Sequence, residues 1–350
     1  MDYPEVRLAG VGTSLPGPPI DNAALVKRFD LPAVWEQWIE TFVGTSSRYF
    51  SVDITTGKLE HSLADLGVQA ATRALASAGA APGDIDLIIM GTATPDLLMP
   101  ATVNVIADRL GINDVPSFQL QSGCTGAIQA LSLAMNLLTT GQARTALVLG
   151  GETCAKFLDL DMDLRNASFN MQVNALLFGD GAGASVLTTA PVPGAPVLRR
   201  AYTRLVGHNR PPGQVVKWFG SVDQGAGEEP VVEDFKAIEL SAPKMATEVL
   251  DELLDDLDWD RSELDYVLPP QLSGRMTDRV IEALAIPSAK PVSRVAEIGN
   301  TANAIPFFQL EQVLGGLQLG DRVVGVSVEA SKWIKAGYAL ELPYDGRQEN

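Results

Sequence analysis

Cysteine and histidine are scarce in this sequence, with two of each among 350 residues. The cysteines, Cys124 and Cys154, fall on different predicted elements and do not form a disulfide framework. The histidines, His61 and His208, leave too few ligands for a structural zinc site. We therefore predict a protein without a bound metal ion.

The sequence also lacks long apolar runs and an excess of positive charge. No uninterrupted apolar stretch approaches the ~20 residues that a membrane-spanning helix needs, and residues 1–5 do not resemble a signal peptide. We therefore expect a cytoplasmic protein that binds no membrane. The formal net charge of −17 argues against nucleic-acid binding, because that binding depends on neutralising phosphates with Lys and Arg.

Strand-like and helix-like segments do alternate along the chain, which predicts an α/β architecture. With 46% hydrophobic residues, 350 residues suffice for one large domain or two compact halves. The first predicted elements are a strand at 6–11, helices at 31–43, 63–78 and 101–110, and a buried strand at 85–90.

The second half of the chain repeats the order of the first. Positions that open or end comparable elements lie 179 residues apart in three pairs: Ser62 and Ser241, Asp86 and Asp265, and Gly141 and Gly320. Proline and glycine cluster at 191–194, where a boundary is expected. We therefore predict an N-terminal half at 1–190 and a C-terminal half at 191–350.

Residues 117–127 join a short strand to an amphipathic helix, with Cys124 at the junction. A helix N-terminus favours an anion, so this position favours a thiolate. The small residues at 123 and 125–127 leave room for a substrate, as in a strand-turn-helix nucleophile elbow. The alternative is that Cys124 is a small buried hydrophobe.

Two further motifs accompany this cysteine: Leu-Phe-Gly-Asp-Gly-Ala-Gly-Ala at 177–184 and Glu-Ile-Gly-Asn-Thr at 297–301. With the duplicated α/β pattern, they resemble the ketosynthase III branch of the thiolase superfamily over nearly the whole chain. The resemblance implies a duplicated five-layer α-β-α-β-α thiolase fold, a homodimer and no permanently bound cofactor. It also implies an acyl thioester on Cys124, received from acyl-phosphopantetheine on an acyl carrier protein or from acyl-coenzyme A.

These enzymes use a cysteine, a histidine and an asparagine. The resemblance assigns the nucleophile to Cys124 and the asparagine to Asn300, whereas Pro270 stands in place of the histidine. Proline has no side-chain donor or titratable group, so it cannot stabilise an enolate or relay a proton. Decarboxylative condensation needs such donors, whereas simple acyl transfer forms no carbanion.

We therefore predict an acyltransferase of specialised-metabolite, polyketide-type biosynthesis. It would pass an acyl group from a carrier protein or coenzyme A to a small alcohol, amine or thiol. One alternative is decarboxylative Claisen condensation by a β-ketoacyl synthase III. The other is a non-catalytic partner of a complete ketosynthase, which the missing histidine favours and the retained Cys124 opposes.

The groups that would replace the histidine remain open in the sequence. His208 would serve as a base if its loop folds inward, and otherwise it is a solvated loop residue. Glu329 would serve if burial raises its pKa, and otherwise it is a surface charge paired with Lys332. The Cys124 N–H is one expected oxyanion donor, but residues 327–333 lack the glycine-rich strand end that usually supplies the second.

Substrate delivery is also inferred from the resemblance. Trp38 matches the tryptophan that stacks on the adenine of coenzyme A, although Phe42 stands where an arginine is expected. Lys236 and Arg275 correspond to a docking surface for acidic carrier proteins, the alternative being ordinary surface cations. Met99 matches the residue that caps the acyl tunnel of the partner subunit.

Overall fold

Strands and helices alternate in the computed structural model, which describes residues 3–217 and 231–344. The strands are β1 (Arg7–Ser14), β2 (Ile20–Asp21), β3 (Ser47–Arg48), β4 (Leu87–Gly91), β5 (Ser117–Leu120), β6 (Thr145–Glu152), β7 (Gly181–Thr188), β8 (Val197–Leu205), β9 (Gln214–Val216), β10 (Val231–Glu233), β11 (Tyr266–Leu268), β12 (Lys290–Pro291), β13 (Arg322–Glu329) and β14 (Ile334–Glu341). The helices are α1 (Asn22–Arg28), α2 (Val34–Trp38), α3 (Leu63–Ala78), α4 (Thr102–Leu110), α5 (Gly126–Thr139), α6 (Phe169–Leu177), α7 (Phe235–Leu257), α8 (Gly274–Leu284), α9 (Val295–Ile298) and α10 (Ile305–Leu314).

Ten strands form two five-stranded blocks, ordered β12-β11-β13-β14-β8 and β1-β7-β6-β4-β5. The blocks meet where β1 and β8 pair through Arg7 and Val197. Read from this junction outward, the second block repeats the strand order of the first. In each block the strand corresponding to β6 runs parallel to one neighbour and antiparallel to the other.

The helices complete five layers. Helices α3 and α4 pack on the outer face of one block, and α7 and α8 on the outer face of the other. Between the blocks lie α5, which contacts β6 and β8, and α10, which contacts β1 and β11. Apolar side chains from both halves, including Leu131 and Phe307, are buried together in this middle layer. The predicted α-β-α-β-α thiolase fold is confirmed.

Local sequence signals explain several element boundaries. Helix α3 has its predicted bounds because Ser62 and Asp65 form a reciprocal capping box and Gly79 ends it with φ of 62°. The helix predicted at 31–43 is divided into α2 and a π-helical turn at Ile39–Val43.

The 179-residue repeat is partly corrected by the structure. The backbone N–H of Asp86 donates to the Thr145 carbonyl, and that of Asp265 donates to the Arg322 carbonyl, so the aspartates are equivalent. The predicted helix limits in the second half are wrong, since Ser241 lies inside α7 and Gly320 lies beyond the end of α10. Strand β13 follows β6 by 177 residues, so the connection before it is two residues shorter.

None of the helices in residues 3–217 and 231–344 combines the length and the apolar character that a bilayer span requires.

Candidate active site

The turn that carries Cys124 lies where the two halves meet. Cys124 occupies a 3-10 turn, Gly123–Thr125, directly before α5. An equivalent turn, Ala302–Ala304, precedes α10 179 residues later and packs against the first. The predicted strand-turn-helix junction is therefore present, with the counterpart turn of the second half beside it.

The last residue of β13, Glu329, is the closest charged neighbour of this turn. Its side chain is buried, with 2% of the residue exposed. The carboxylate accepts the backbone N–H of Cys124 through Oε2 and that of Ser331 through Oε1, the latter at 2.6 Å. Lys332 instead donates to the Arg210 carbonyl at 2.6 Å. The alternative of a surface pair between Glu329 and Lys332 is therefore wrong.

This contact corrects the expected role of the Cys124 N–H. The group was expected to be free for an oxyanion, but here it is already donated to Glu329. The neighbouring Ser327 hydroxyl donates to the Cys124 carbonyl at 3.1 Å, which fixes the other side of the peptide. An oxyanion can use the Cys124 N–H only after the Glu329 carboxylate has moved away.

The surroundings of Cys124 favour the neutral thiol. Although the residue as a whole is only half-buried, desolvation is the largest cause that raises its pKa well above the ordinary value. The negative charges of Glu329 and Glu152 and a hydrogen bond to Glu329 raise the pKa further. The expectation that the helix N-terminus favours a thiolate is therefore wrong for this arrangement, because the nearby carboxylates outweigh it.

Asn300 is fixed next to the counterpart turn. Its side-chain Nδ2 donates to the Leu272 carbonyl at 3.2 Å, and its Oδ1 accepts the N–H of Ala302 at 2.9 Å. Pro270 is buried in the neighbouring segment, and Gln271 uses its side-chain oxygen to hold the backbone of residues 294–295. The segment that carries the histidine in the family thus serves as a support for Asn300 and the following loop.

Two buried residues behind the turn were not predicted. Asn303 donates through Nδ2 to the Gly123 carbonyl at 2.9 Å and to Glu152 Oε1 at 2.5 Å. Burial raises the pKa of Glu152, which is 1% exposed. The repeat contained the signal for both, since Asn303 follows Cys124 by 179 residues and Glu152 precedes Glu329 by 177.

The remaining cysteine and histidines lie outside this arrangement. His208 is exposed in the turn after β8, and within residues 3–217 and 231–344 no hydrogen bond joins it to Cys124 or Glu329. The inward fold that would make His208 a base is not present. His61 precedes the N-cap of α3, and burial raises the pKa of Cys154.

The residues expected to bind donors form an exposed group at the entrance of α8. The Trp38 ring lies 5.2 Å from that of Trp35 and 5.8 Å from that of Phe42. The Arg275 guanidinium lies 5.7 Å from the Phe42 ring centroid, and its Nη1 donates to the Thr41 carbonyl at 3.4 Å. A cation therefore does stand beside Phe42, supplied by α8 instead of by the helix that carries Trp38.

Lys236 and Met99 are exposed elsewhere. Lys236 lies in the first turn of α7 and has no ion pair with another described residue. Met99 is 86% exposed and follows Leu97 and Leu98, which are 55% and 71% exposed. This apolar segment precedes α4 and has no cover within the chain.

Comparisons with known proteins identify the family. The family model described as 3-oxoacyl-[acyl-carrier-protein (ACP)] synthase III matches residues 118–203, and the model of its C-terminal part matches residues 254–332. A beta-ketoacyl-[acyl-carrier-protein] synthase III of Neisseria meningitidis serogroup C is 31% identical over 309 residues. The match covers 87% of this chain and 88% of that protein.

Solved structures resemble the whole chain. AbyA1, described as a tetronic acid condensing enzyme, is 52% identical with a TM-score of 0.93, over 96% of this chain and 99% of that chain. The 3-oxoacyl-(acyl carrier protein) synthase III FabH from Pseudomonas aeruginosa PAO1 is 28% identical with a TM-score of 0.81, over 97% and 99% of the two chains. The chain therefore belongs to the 3-oxoacyl-[acyl-carrier-protein] synthase III family, the ketosynthase III-type transferases with the thiolase fold.

Proposed function

We propose that this protein is a condensing acyltransferase that transfers an acyl group through Cys124 without decarboxylation. The observation that carries the proposal is the Glu329 carboxylate on Cys124, together with Pro270 in place of a histidine. A carboxylate accepts protons but donates none to an enolate. It therefore suits a reaction that begins with removal of a proton and not one that begins with loss of carbon dioxide.

In the loading step Glu329 takes the proton of the Cys124 thiol. The sulfur then attacks the carbonyl carbon of the donor thioester, and the donor thiolate leaves with the proton returned from Glu329. Protonation weakens the hold of Glu329 on the Cys124 N–H, so that this N–H turns to the developing oxyanion. The products are the acyl-enzyme and the free thiol of the donor.

The nature of the acceptor is suggested by the relative AbyA1, which is described as a tetronic acid condensing enzyme. Tetronic acid is a five-membered lactone, and its ring requires one acyl transfer to carbon and one to oxygen. The carbon between the two carbonyls of a 3-oxoacyl thioester is acidic enough to react without losing carbon dioxide. We infer that the substrates are a 2-hydroxyacyl donor and a 3-oxoacyl thioester.

The ring would close in two steps after loading. Glu329 removes a proton from the acidic carbon, which attacks the acyl-Cys124 carbonyl, and Cys124 leaves as a thiolate that regains the proton. The hydroxyl group of the transferred unit then attacks the second thioester and releases its thiol. Acyl transfer to an alcohol, predicted from the sequence, is thus the ring-closing half of the reaction.

The donors would be acyl groups on phosphopantetheine of an acyl carrier protein or on coenzyme A, with no permanently bound cofactor. We propose that Lys236 and Arg275 dock the acidic carrier and that Trp38 stacks on the donor nucleotide. We further propose a homodimer in the cytoplasm, in which the exposed segment around Met99 is covered by the partner subunit. Asn300 would orient the donor carbonyl beside Cys124.

The test offers a lactyl thioester and a 3-oxobutanoyl thioester, each on carrier-protein phosphopantetheine, to wild-type protein and Cys124→Ala. We expect a lactyl adduct by intact mass that Cys124→Ala lacks, and a lactone product without release of carbon dioxide. The matched control replaces the 3-oxobutanoyl thioester by a malonyl thioester.

Two results would contradict the proposal. Cys124-dependent release of carbon dioxide from malonyl thioester, with a 3-oxoacyl product, would establish decarboxylative condensation, the reaction for which the Neisseria relative is named. Absence of an adduct with carrier and coenzyme A donors alike would favour the non-catalytic partner.

A further inference from the structure

A buried asparagine and a buried glutamate lie behind the nucleophile turn, and neither reacts in the proposed function. Asn303 occupies the place in the second half that Cys124 occupies in the first, because their turns are 179 residues apart. Glu152 and Glu329 likewise end the corresponding strands β6 and β13. Each glutamate contacts the turn of the opposite half. The duplicated fold therefore holds two copies of one arrangement, of which only one contains a nucleophile.

Asn303 joins both sides of the Cys124 turn. Its Nδ2 donates to the Gly123 carbonyl at 2.9 Å, and its Oδ1 accepts the Ala127 N–H at 2.8 Å. The Ala127 N–H is one of the first four of α5, which have no partner within the helix. Thr125, the residue before the helix, makes no side-chain cap. Asn303 thus caps α5 from the other half of the protein.

Glu152 determines which way the Asn303 amide faces. A carboxylate only accepts, so the Asn303 nitrogen must point to Glu152 Oε1, at 2.5 Å, and its oxygen away from it. Glu152 is itself fixed by the Ala93 N–H at 2.9 Å and by the hydroxyls of Thr94 at 2.5 Å and Thr92 at 3.2 Å. Asn303 and Glu152 are 0% and 1% exposed, so water does not compete for these bonds.

We propose that Glu152 and Asn303 are positioning residues that hold the Cys124 turn in the geometry for acyl loading. Glu152 acts through Asn303, and Asn303 acts through the backbone on both sides of Cys124. The proposal rests on the proposed function only in that Cys124 accepts an acyl group. A misplacement of about 1 Å is enough to lower the rate of such a reaction about 100-fold.

The experiment compares Glu152→Gln and Asn303→Ala with wild-type protein by two measurements. The first is the rate of Cys124 loading at saturating acyl donor, with the half-saturating donor concentration. The second is the pH profile of Cys124 alkylation by iodoacetamide, which needs no acyl donor, with the modified cysteine identified by peptide mass. Glu341→Gln is the control, because it removes a carboxylate that pairs with Arg199 and Arg322.

We expect both variants to load about 10- to 100-fold more slowly while the half-saturating concentration stays within about twofold. The alkylation profile of Glu152→Gln should move to lower pH because a negative charge near the thiol is lost. That of Asn303→Ala should not move to lower pH, because Glu152 keeps its charge. Glu341→Gln should match the wild-type protein in both measurements.

Unchanged loading in both folded variants would overturn the proposal, as would slower loading that only follows the loss of folded protein in a melting curve. If Glu152→Gln does not fold, Thr94→Val tests the same support, since it removes the 2.5 Å bond to Glu152 without changing a charge. If the wild-type protein alkylates but accepts no acyl group, the proposed function fails, and the Glu152→Gln shift still tests the contact. An unshifted profile for folded Glu152→Gln would then overturn the positioning proposal.

Discussion

At the scale of single residues, reactivity depends on the charge around one thiol. Burial and the neighbouring Glu329 and Glu152 raise the pKa of Cys124, so at neutral pH the resting residue is a thiol. Alkylation of the wild-type protein should therefore become fast only at alkaline pH, since the thiolate is the nucleophile. Acyl loading does not need a standing thiolate, because Glu329 is in contact with the turn and can take the proton.

Glu329→Gln should separate these two reactivities. Loss of the negative charge lowers the pKa of the thiol, so alkylation at neutral pH should become faster. Acyl loading should become about 100- to 10,000-fold slower, because the base is gone. The pH profile of iodoacetamide labelling and the loading rate, taken on one preparation, measure both changes. Parallel changes in the two rates would contradict a role of Glu329 as the base.

The same profiles also rank the two glutamates. Glu329 is the larger electrostatic cause of the raised Cys124 pKa. The alkylation profile should therefore move further to lower pH in Glu329→Gln than in Glu152→Gln.

At the scale of elements, the Cys124 turn is built around a glycine. Gly123 has φ of 48°, a conformation that side chains disfavour, and a Cβ on it would overlap the Glu329 carboxylate. Gly79, which ends α3, has φ of 62° but faces open space. The two glycines therefore separate backbone strain from a steric conflict at the site.

Gly79→Ala should lower the free energy of unfolding by about 1–2 kcal/mol, the cost of a left-handed alanine, without affecting loading of Cys124. Gly123→Ala should lower it by more and slow loading at least about 10-fold, because Glu329 must shift. Denaturant unfolding and intact-mass loading measure the two quantities. Equal loading in the two variants would show that the contact with Glu329 is dispensable.

At the scale of the whole molecule, the protein carries a net charge of −17, so it repels acidic partners except at local basic sites. Lys236 is exposed at the start of α7 and has no ion pair within the described part of the chain. A carrier protein that docks there gains attraction where the global charge opposes it. Docking should therefore depend strongly on this residue and on ionic strength.

Lys236→Glu should raise the KM for a carrier-bound donor about 10-fold at low salt, with a smaller effect at high salt, because screening weakens surface charges. The measurement is the loading rate against carrier concentration at two ionic strengths. Lys290→Glu, on the edge strand β12, is the matched control, since Lys290 is also exposed. An equal effect of both substitutions would indicate net charge and not a docking site.

The sequence by itself determined the fold and the nucleophile. Residue periodicity and the 179-residue repeat indicated a duplicated α/β chain, and the small residues around Cys124 indicated a reactive turn, because such signals are local or periodic. Pro270 was also evident as a replaced histidine. Helix limits at Ser241 and Gly320 were wrong because tertiary packing sets where a helix begins and ends.

Only the tertiary structure decided what surrounds the thiol. Glu329 and Asn303 lie about 200 and 180 residues from Cys124 in the chain, and they contact its turn because the two halves pack face to face. This packing buries the carboxylates, gives the Cys124 N–H to Glu329 and raises the pKa of the thiol. His208 was left in solvent. The charge and hydrogen bonding at a site depend on distances between residues that are remote in sequence, and no local pattern contains those distances.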